Sequence, residues 1–160
     1  MTLAPLVDIE DLSPLLAPEA RLLGLDVGSK TVGLALSDVT RSIATPYSTL
    51  RRTKFTEDAK AILEAVEKNQ VGALVIGLPL NLDGSEGPRA QSTRAFARNL
   101  GARIDLPIVF WDERLSTAAV ERHLIEADAT RKRRAEVIDR MAAAYILQGA
   151  LDRLKRLTEG

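Results

Sequence analysis

The chain has 160 residues, with 22 lysines and arginines and 22 aspartates and glutamates, so its formal net charge is zero. This balance argues against a protein that coats nucleic acid through a general basic excess, although it leaves room for a local basic groove. The absence of cysteine excludes disulfides, thiolate nucleophiles and cysteine-based zinc sites, and one histidine, His123, excludes a cluster of histidines around a metal. No apolar stretch of the sequence approaches the ~20 residues that a membrane-spanning helix needs.

Residues 1–20 are predicted to form a loose acidic extension. They contain four acidic residues and three of the seven prolines, but no lysine or arginine. A secretory signal would place basic residues before an apolar run, so we expect a cytoplasmic protein. The folded domain is expected to comprise residues 21–157, followed by a short tail at residues 158–160.

The hydrophobic pattern predicts five strands and four helices. Two apolar runs joined by a short turn that contains glycine are typical of a β-hairpin, and here they form the first two strands. The strands are predicted at Arg21–Val27, Thr31–Ser37, Tyr47–Leu50, Ala73–Ile76 and Leu106–Trp111. The helices are predicted at Thr56–Gln70, from Pro88 to about Leu100, at Leu115–Ala127 and roughly at Arg134–Arg156. The order β-β-β-α-β-α-β-α-α indicates one α/β domain in which helices flank a mixed sheet.

Three carboxylates interrupt apolar patterns along the chain. Asp26 lies near the end of the first predicted strand, Glu113 follows the last strand, and Asp139 lies on an apolar face of the last helix. A carboxylate on such a face is costly unless it is paired or bound to a metal. Structural alternatives remain open: Asp26 as a turn residue, and Asp139 as the partner of a nearby arginine. Asp112 or Glu113 could likewise cap the next helix or pair with Arg114.

Together the three acids predict a metal site at one edge of the sheet. Crowded carboxylates repel one another and resist ionisation unless a cation neutralises them, and hard oxygen ligands suit Mg²⁺ or Mn²⁺. Two such ions, about 4 Å apart, can activate a water and stabilise the leaving oxygen of a phosphodiester. We therefore predict that Asp26, Glu113 and Asp139 are catalytic metal ligands, and that His123 is a surface or packing residue.

Basic residues accompany these acids and predict a polyanionic substrate. Lys30 lies in the first turn, Arg114 follows the second acid, and Arg131, Arg133 and Arg134 precede the third. Basic side chains around an acidic centre fit nucleic acid, because they bind phosphates while the acids hold the metal. Taken by itself, the run at residues 131–134 is more typical of a solvated charged loop.

The segment Gly77–Gly87 (GLPLNLDGSEG) has the composition of a loop that leads into a helix. Backbone amides in such a turn can bind a phosphate. A plain connection between a strand and a helix, capped by Ser85 or Gly87, explains the same residues equally well.

Four segments of the chain resemble the YqgF family, which is also called RuvX. Its members are named as pre-16S rRNA nucleases, are related to Holliday-junction resolvases and have an RNase H-like fold. The resemblance covers about residues 21–157 and implies a five-stranded sheet in the order 3-2-1-4-5, with strand 2 antiparallel to the rest. The segments are Leu23–Asp38 (LGLDVGSKTVGLALSD), Val75–Gly87 (VIGLPLNLDGSEG), Trp111–Thr117 (WDERLST) and Ile138–Leu151 (IDRMAAAYILQGAL).

The resemblance also implies which acids are catalytic. Asp26 matches the aspartate of the family's first strand, Glu113 the glutamate of its DER motif, and Asp139 the aspartate of its last helix. The function expected on this basis is a metal-dependent nuclease of ribosomal RNA precursors, with two Mg²⁺ or Mn²⁺ ions as cofactors.

Two other functions remain open at this point. One is a Holliday-junction resolvase acting on branched DNA, which would need a dimer to cut two strands symmetrically. The other is a non-catalytic nucleic-acid-binding or transcription-accessory protein. The complete acidic triad argues against it, because a protein that only binds nucleic acid has no use for carboxylates directed at phosphates. RNA is favoured over DNA as the partner, and both a monomer and a homodimer are consistent with the sequence.

Overall fold

A five-stranded mixed sheet forms the centre of the computed structural model, which describes residues 6–115 and 131–159, with residues 131–140 and 159 described by their backbone alone. The strands lie in the order β3-β2-β1-β4-β5. β2 is antiparallel to β1 and β3, whereas β4 is parallel to β1 and β5. The predicted fold class and strand order are therefore confirmed. The strands are β1 (Arg21–Val27), β2 (Thr31–Ser37), β3 (Ala44–Arg51), β4 (Val71–Leu78) and β5 (Ile108–Asp112).

Helices cover both faces of this sheet. Successive side chains of a strand point to opposite faces, so Leu23 and Leu25 pack with the first two helices, whereas Leu22 packs with the last. Among the described helices, none combines the length and the apolar character needed to cross a membrane. The helices are α1 (Phe55–Lys68), α2 (Pro88–Gly101) and α3 (Arg131–Glu159).

The observed elements extend several of the predicted ones. The third strand spans Ala44–Arg51 rather than Tyr47–Leu50, and α3 begins at Arg131 rather than near Arg134. The basic run at residues 131–134 is therefore helical, which rules out the alternative of a charged loop there. From residue 116 onward, the helix predicted at Leu115–Ala127 lies outside the described residues, as does His123.

The N-terminal segment packs on the domain, and the prediction of a loose extension is wrong for residues 6–20. Leu12 is fully buried, and Ile9 is buried in the same hydrophobic cluster beneath α3. The backbone N–H of Val7 donates to the carbonyl oxygen of Ile108 at 3.0 Å, so the segment also pairs with the outer strand. The segment contains four acidic residues and no lysine or arginine, but Ile9 and Leu12, three residues apart, turn inward because they complete the core.

Candidate active site

Asp26 occupies a buried position near the end of β1, with 2% of its surface exposed. It pairs with Gly33 of β2, and the register of β1 with β4 places Gly77 beside it on the other side. Strand alternation puts Asp26 on the same face as Leu22, which is the face covered by α3. We call the edge where β1, β4 and β5 end the carboxyl edge, and the edge where they begin the amino edge.

Glu113 reaches the same region from β5. It opens a short 3₁₀ turn, Glu113–Leu115, directly after the strand. A Cβ atom on Gly77 would lie 3.2 Å from Glu113 Cγ and would overlap Ile146 Cδ1. The side chain of Glu113 therefore occupies the space above Gly77, which is the strand position next to Asp26. Two of the three predicted acids thus share one face at the carboxyl edge.

The third acid, Asp139, lies on α3, in the part that is described by its backbone alone. A Cβ on Gly24 would lie 3.0 Å from the carbonyl oxygen of Ala143, so α3 crosses β1 very closely there. Gln148 accepts from the backbone N–H of Ala44 at 2.8 Å, at the amino edge. From Ala143 to Gln148, α3 therefore runs toward the amino edge. Position 139 lies one helical turn before Ala143, and so on the side of the carboxyl edge.

The structure describes the basic residues predicted to bind nucleic acid to different extents. Arg131, Arg133 and Arg134 lie in the first turns of α3, and their side chains are outside the described part of the chain. Lys30 is exposed in the turn between β1 and β2. It lines a groove of about 430 Å³ with Arg89 of α2, a residue that the sequence did not single out.

Asp112 takes the structural role that the sequence left open for either of two acids. It accepts hydrogen bonds from Arg114 Nη2 at 2.7 Å, from Arg114 Nε at 3.0 Å and from the backbone N–H of Arg114 at 2.9 Å. The hydrogen bond with this guanidinium holds the pKa of Asp112 below its usual range. Asp112 and Glu113 lie on different faces of the sheet. Trp111 packs under α3, on the face where Glu113 also lies, and strand alternation points Asp112 to the opposite face.

The loop at residues 79–87 connects β4 to α2 at the carboxyl edge. The N–H of Asn81 donates to the carbonyl oxygen of Ser85 at 2.9 Å, and Ser85 Oγ donates to Asp83 Oδ1 at 2.6 Å. The latter hydrogen bond lowers the pKa of Asp83. Gly87, rather than Ser85, occupies the N-cap position of α2, and no side chain caps this helix.

Arg114 links this loop to β5. Its Nη1 donates to the carbonyl oxygen of Leu82 at 3.2 Å while Asp112 holds its other nitrogens. This link could not be predicted from the sequence, because it joins residues 32 positions apart and no local pattern reveals it. The prediction that Arg114 contacts nucleic acid stays a prediction.

Comparison with known proteins shows which family the chain resembles. A family model described as "RuvX: Holliday junction resolvase" matches residues 20–153. A protein of Methylocella silvestris is 59% identical over 154 residues, covering 96% of each chain. One of Paramagnetospirillum magneticum is 63% identical over 148 residues, covering 92% of this chain and 96% of the relative. Both carry the name "Putative pre-16S rRNA nuclease".

Solved structures show the same fold at low sequence identity. T. thermophilus RuvC in complex with a Holliday junction substrate matches 84% of this chain and 94% of its own, at 12% identity and a TM-score of 0.54. The yeast mitochondrial Holliday junction resolvase Ydc2 matches 94% of this chain and 85% of its own, at 14% identity and a TM-score of 0.55. Since the family model spans most of the sequence and the curated relatives match nearly end to end, the chain belongs to the RuvX family.

Proposed function

We propose that this protein is a divalent-metal-dependent nuclease that processes the 5′ end of pre-16S ribosomal RNA in the cytoplasm. Membership of the RuvX family makes the chain a phosphodiester-hydrolysing enzyme. The observation that carries the metal dependence is the pair of acids at the carboxyl edge, with Asp26 buried and Glu113 above Gly77. The choice of ribosomal RNA rests on the name of the relatives.

The residues at this edge fit a divalent cation. Asp26 and Glu113 offer carboxylate oxygens, which are the donors that Mg²⁺ and Mn²⁺ prefer, and Asp139 is the third proposed ligand. Among the side chains that the structure describes, which do not include that of Asp139, no three potential ligands form a cluster. Two ions held there would activate water and stabilise charge on the leaving oxygen.

The chain itself contributes fixed positions for these acids. Asp26 lies between two hydrogen-bonded neighbours, β2 and β4, so its backbone has little freedom. Glu113 and Ile146 both lie against Gly77, where no other residue type would leave them room. Carboxylates held this way need no rearrangement when the substrate arrives, which is the condition under which electrostatic stabilisation of a transition state is largest.

We further assign contacts with substrate phosphates to five basic residues. Replacing Arg131, Arg133 and Arg134 by alanine is expected to flatten the salt dependence of binding, by about 0.7 per lost contact on single strands and about 0.9 on duplex DNA. Lys68→Ala, at the exposed end of α1 on the amino edge, is the matched control. An unchanged slope in the triple variant would mean that these three arginines are solvated and do not contact the substrate. The five are Lys30, Arg114, Arg131, Arg133 and Arg134.

A substrate panel tests the proposed reaction. Purified protein is incubated with structured RNA, single-stranded RNA, duplex DNA and four-way junctions, with Mg²⁺, with Mn²⁺ or with excess chelator. We expect cleavage of the structured RNA that requires metal. Full cleavage in excess chelator would contradict the mechanism, and binding of all substrates without cleavage would favour a non-catalytic nucleic-acid-binding protein.

Asp139→Asn tests whether the third acid belongs to the site. If Asp139 is a metal ligand, its replacement removes one charge from a repulsive cluster, so the metal-free protein should be at least as stable as wild type. Cleavage should fall by orders of magnitude, and stabilisation by added metal should decrease. A variant that is destabilised without metal but cleaves normally would remove Asp139 from the site.

A Holliday-junction resolvase is the second candidate function. The description of the family and the fold shared with RuvC and Ydc2 favour it. Symmetric cleavage of a junction needs two sites related by a two-fold axis, and therefore a dimer. Preferential cleavage of four-way junctions, together with a dimer in sedimentation experiments, would favour this function over RNA processing.

A further inference from the structure

We propose that Leu82 is an apolar wedge that contacts the bases of the nucleic-acid substrate, an inference that rests on the proposed nuclease function. Leu82 is 96% exposed, more than any other large hydrophobic residue among those described. It lies in the loop directly after β4, at the carboxyl edge that also holds Asp26 and Glu113. Its side chain is therefore accessible to a nucleic acid bound at that edge.

Hydrogen bonds within the loop hold Leu82 in this exposed position. On one side of it, Asn81 donates from its backbone N–H to Ser85 O at 2.9 Å and from Nδ2 to Ser85 Oγ, also at 2.9 Å. On the other side, the N–H of Gly84 donates to the carbonyl oxygen of Asn81 at 2.8 Å. Gly84 has a φ of 90°, a conformation that side chains strongly disfavour, so the sequence itself prescribes this turn.

Arg114 couples the loop to the predicted catalytic strand. Its Nη1 holds the carbonyl oxygen of Leu82 itself, and Asp112 fixes the guanidinium from the opposite side. Arg114 is the neighbour of Glu113 in sequence, so the position of Leu82 is tied to that of a proposed metal ligand. We therefore assign Arg114 a positioning role toward Leu82, in addition to any phosphate contact.

The chemistry of such a residue suits a distorted nucleic acid. Single exposed apolar residues are common on protein surfaces, so the exposure of Leu82 supports the proposal only together with its place at the carboxyl edge and the hydrogen bonds that fix its loop. Leucine is among the apolar side chains that enter between base steps and unstack them. Because the loop is already ordered, little conformational entropy is lost when it binds. Leu82 would thus open a base step close to the phosphate that is cleaved.

Base unstacking can be measured without cleavage. A stem-loop RNA and a four-way DNA junction carry 2-aminopurine, whose fluorescence rises when it is unstacked, and the full-length protein is added in excess chelator. We expect wild-type protein to raise the fluorescence of at least one probe and Leu82→Ala to remove most of this rise. Leu82→Met, which keeps a long apolar side chain, should restore it.

Ile43→Ala is the matched control, since Ile43 is 62% exposed in a loop at the amino edge. It should give the wild-type rise in fluorescence. With metal present, we expect Leu82→Ala to cleave structured substrate about ten-fold more slowly, equivalent to about 1.4 kcal/mol, while Ile43→Ala cleaves normally.

The outcomes separate this proposal from the proposed function. A Leu82→Ala variant that gives the wild-type rise overturns the wedge, and so does wild-type protein that binds and cleaves without any rise. A wedge signal without metal-dependent cleavage overturns the nuclease function alone. If wild-type protein binds neither probe, with or without metal, both proposals are wrong.

Discussion

The loops at the two edges of the central sheet are held in different ways. At the amino edge, the loop between β2 and β3 is closed onto the rest of the chain, because Gln148 of α3 donates to the carbonyl oxygen of Ser42 and Arg41 donates to that of Ala20. At the carboxyl edge, the loop after β4 bonds mainly to itself and to Arg114, and it leaves Leu82 in solvent. The loop at the amino edge is thus fixed by other parts of the chain, whereas the loop at the carboxyl edge keeps a large apolar side chain accessible.

The largest expected effect comes from replacing a proposed metal ligand at the carboxyl edge. We expect Glu113→Gln to lower the rate of cleavage by at least about a hundred-fold, because the metal pair stabilises charge chiefly in the transition state. The melting temperature of the metal-free protein should change little. Single-turnover cleavage and thermal unfolding in chelator measure the two quantities.

Asp112→Asn is the control for this variant, because it alters the neighbouring acid, which pairs with Arg114. It should reduce cleavage much less than Glu113→Gln does. Equal losses in the two variants would mean that the Arg114 contact, rather than metal binding, accounts for the effect of Glu113.

The next effect concerns stability at the N-terminal segment. Leu12 is fully buried, so Leu12→Ala should lower the free energy of unfolding by about 2–5 kcal/mol, whereas Leu15→Ala, at a residue 53% exposed, should change it by less than about 0.5 kcal/mol. Deleting residues 1–20 should likewise lower the melting temperature. Equal stability of the truncated and full chains in denaturant titrations would show that the segment adds nothing to the core.

Glycine substitutions sharpen the contrast between the two edges. A Cβ at Gly77 would meet Ile146 and Glu113, and a Cβ at Gly72 would lie 2.8 Å from Ala20 Cβ. Overpacking of this kind typically costs about 1–3 kcal/mol, so both alanine variants should be destabilised. Only Gly77→Ala should also slow cleavage at temperatures where the protein is fully folded, because it displaces Glu113. Equal cleavage by both folded variants would contradict the position given to Glu113.

Local patterns made much of the fold and part of the candidate site predictable. The hairpin followed from two apolar runs and a short turn, and the acids were conspicuous because each interrupts an apolar pattern. The burial of Leu12 was not predictable in the same way, since acidic residues and prolines surround it and its partners come from distant elements. The link between Arg114 and Leu82 was hidden for the same reason, because it depends on how β4 and β5 lie side by side.

The smallest expected effect is a pH dependence at the amino edge. Asp38 accepts hydrogen bonds from Thr40 Oγ1 at 2.7 Å, from the N–H of Ser42 at 2.8 Å and from the N–H of Ile43 at 3.1 Å. These bonds, that from Thr40 most of all, lower the pKa of Asp38 from 3.8 to about 2. Since the folded-state pKa is the lower one, the ionised carboxylate stabilises the fold above about pH 4, and this stabilisation disappears as the pH falls through about 2.

Asp38→Asn should therefore lower the melting temperature at neutral pH by only a few degrees. The difference from wild type should shrink steadily as the pH is lowered from about 4 to 2, because wild-type Asp38 then becomes protonated too. Thr40→Val should show a weaker form of the same pattern, since it removes the largest single cause of the pKa shift. Cleavage at neutral pH should be unaffected in both variants, because the loop lies at the edge opposite the proposed metal ligands. A difference in melting temperature that stays constant across this pH range would mean that the loop is held by its backbone hydrogen bonds rather than by the charge of Asp38.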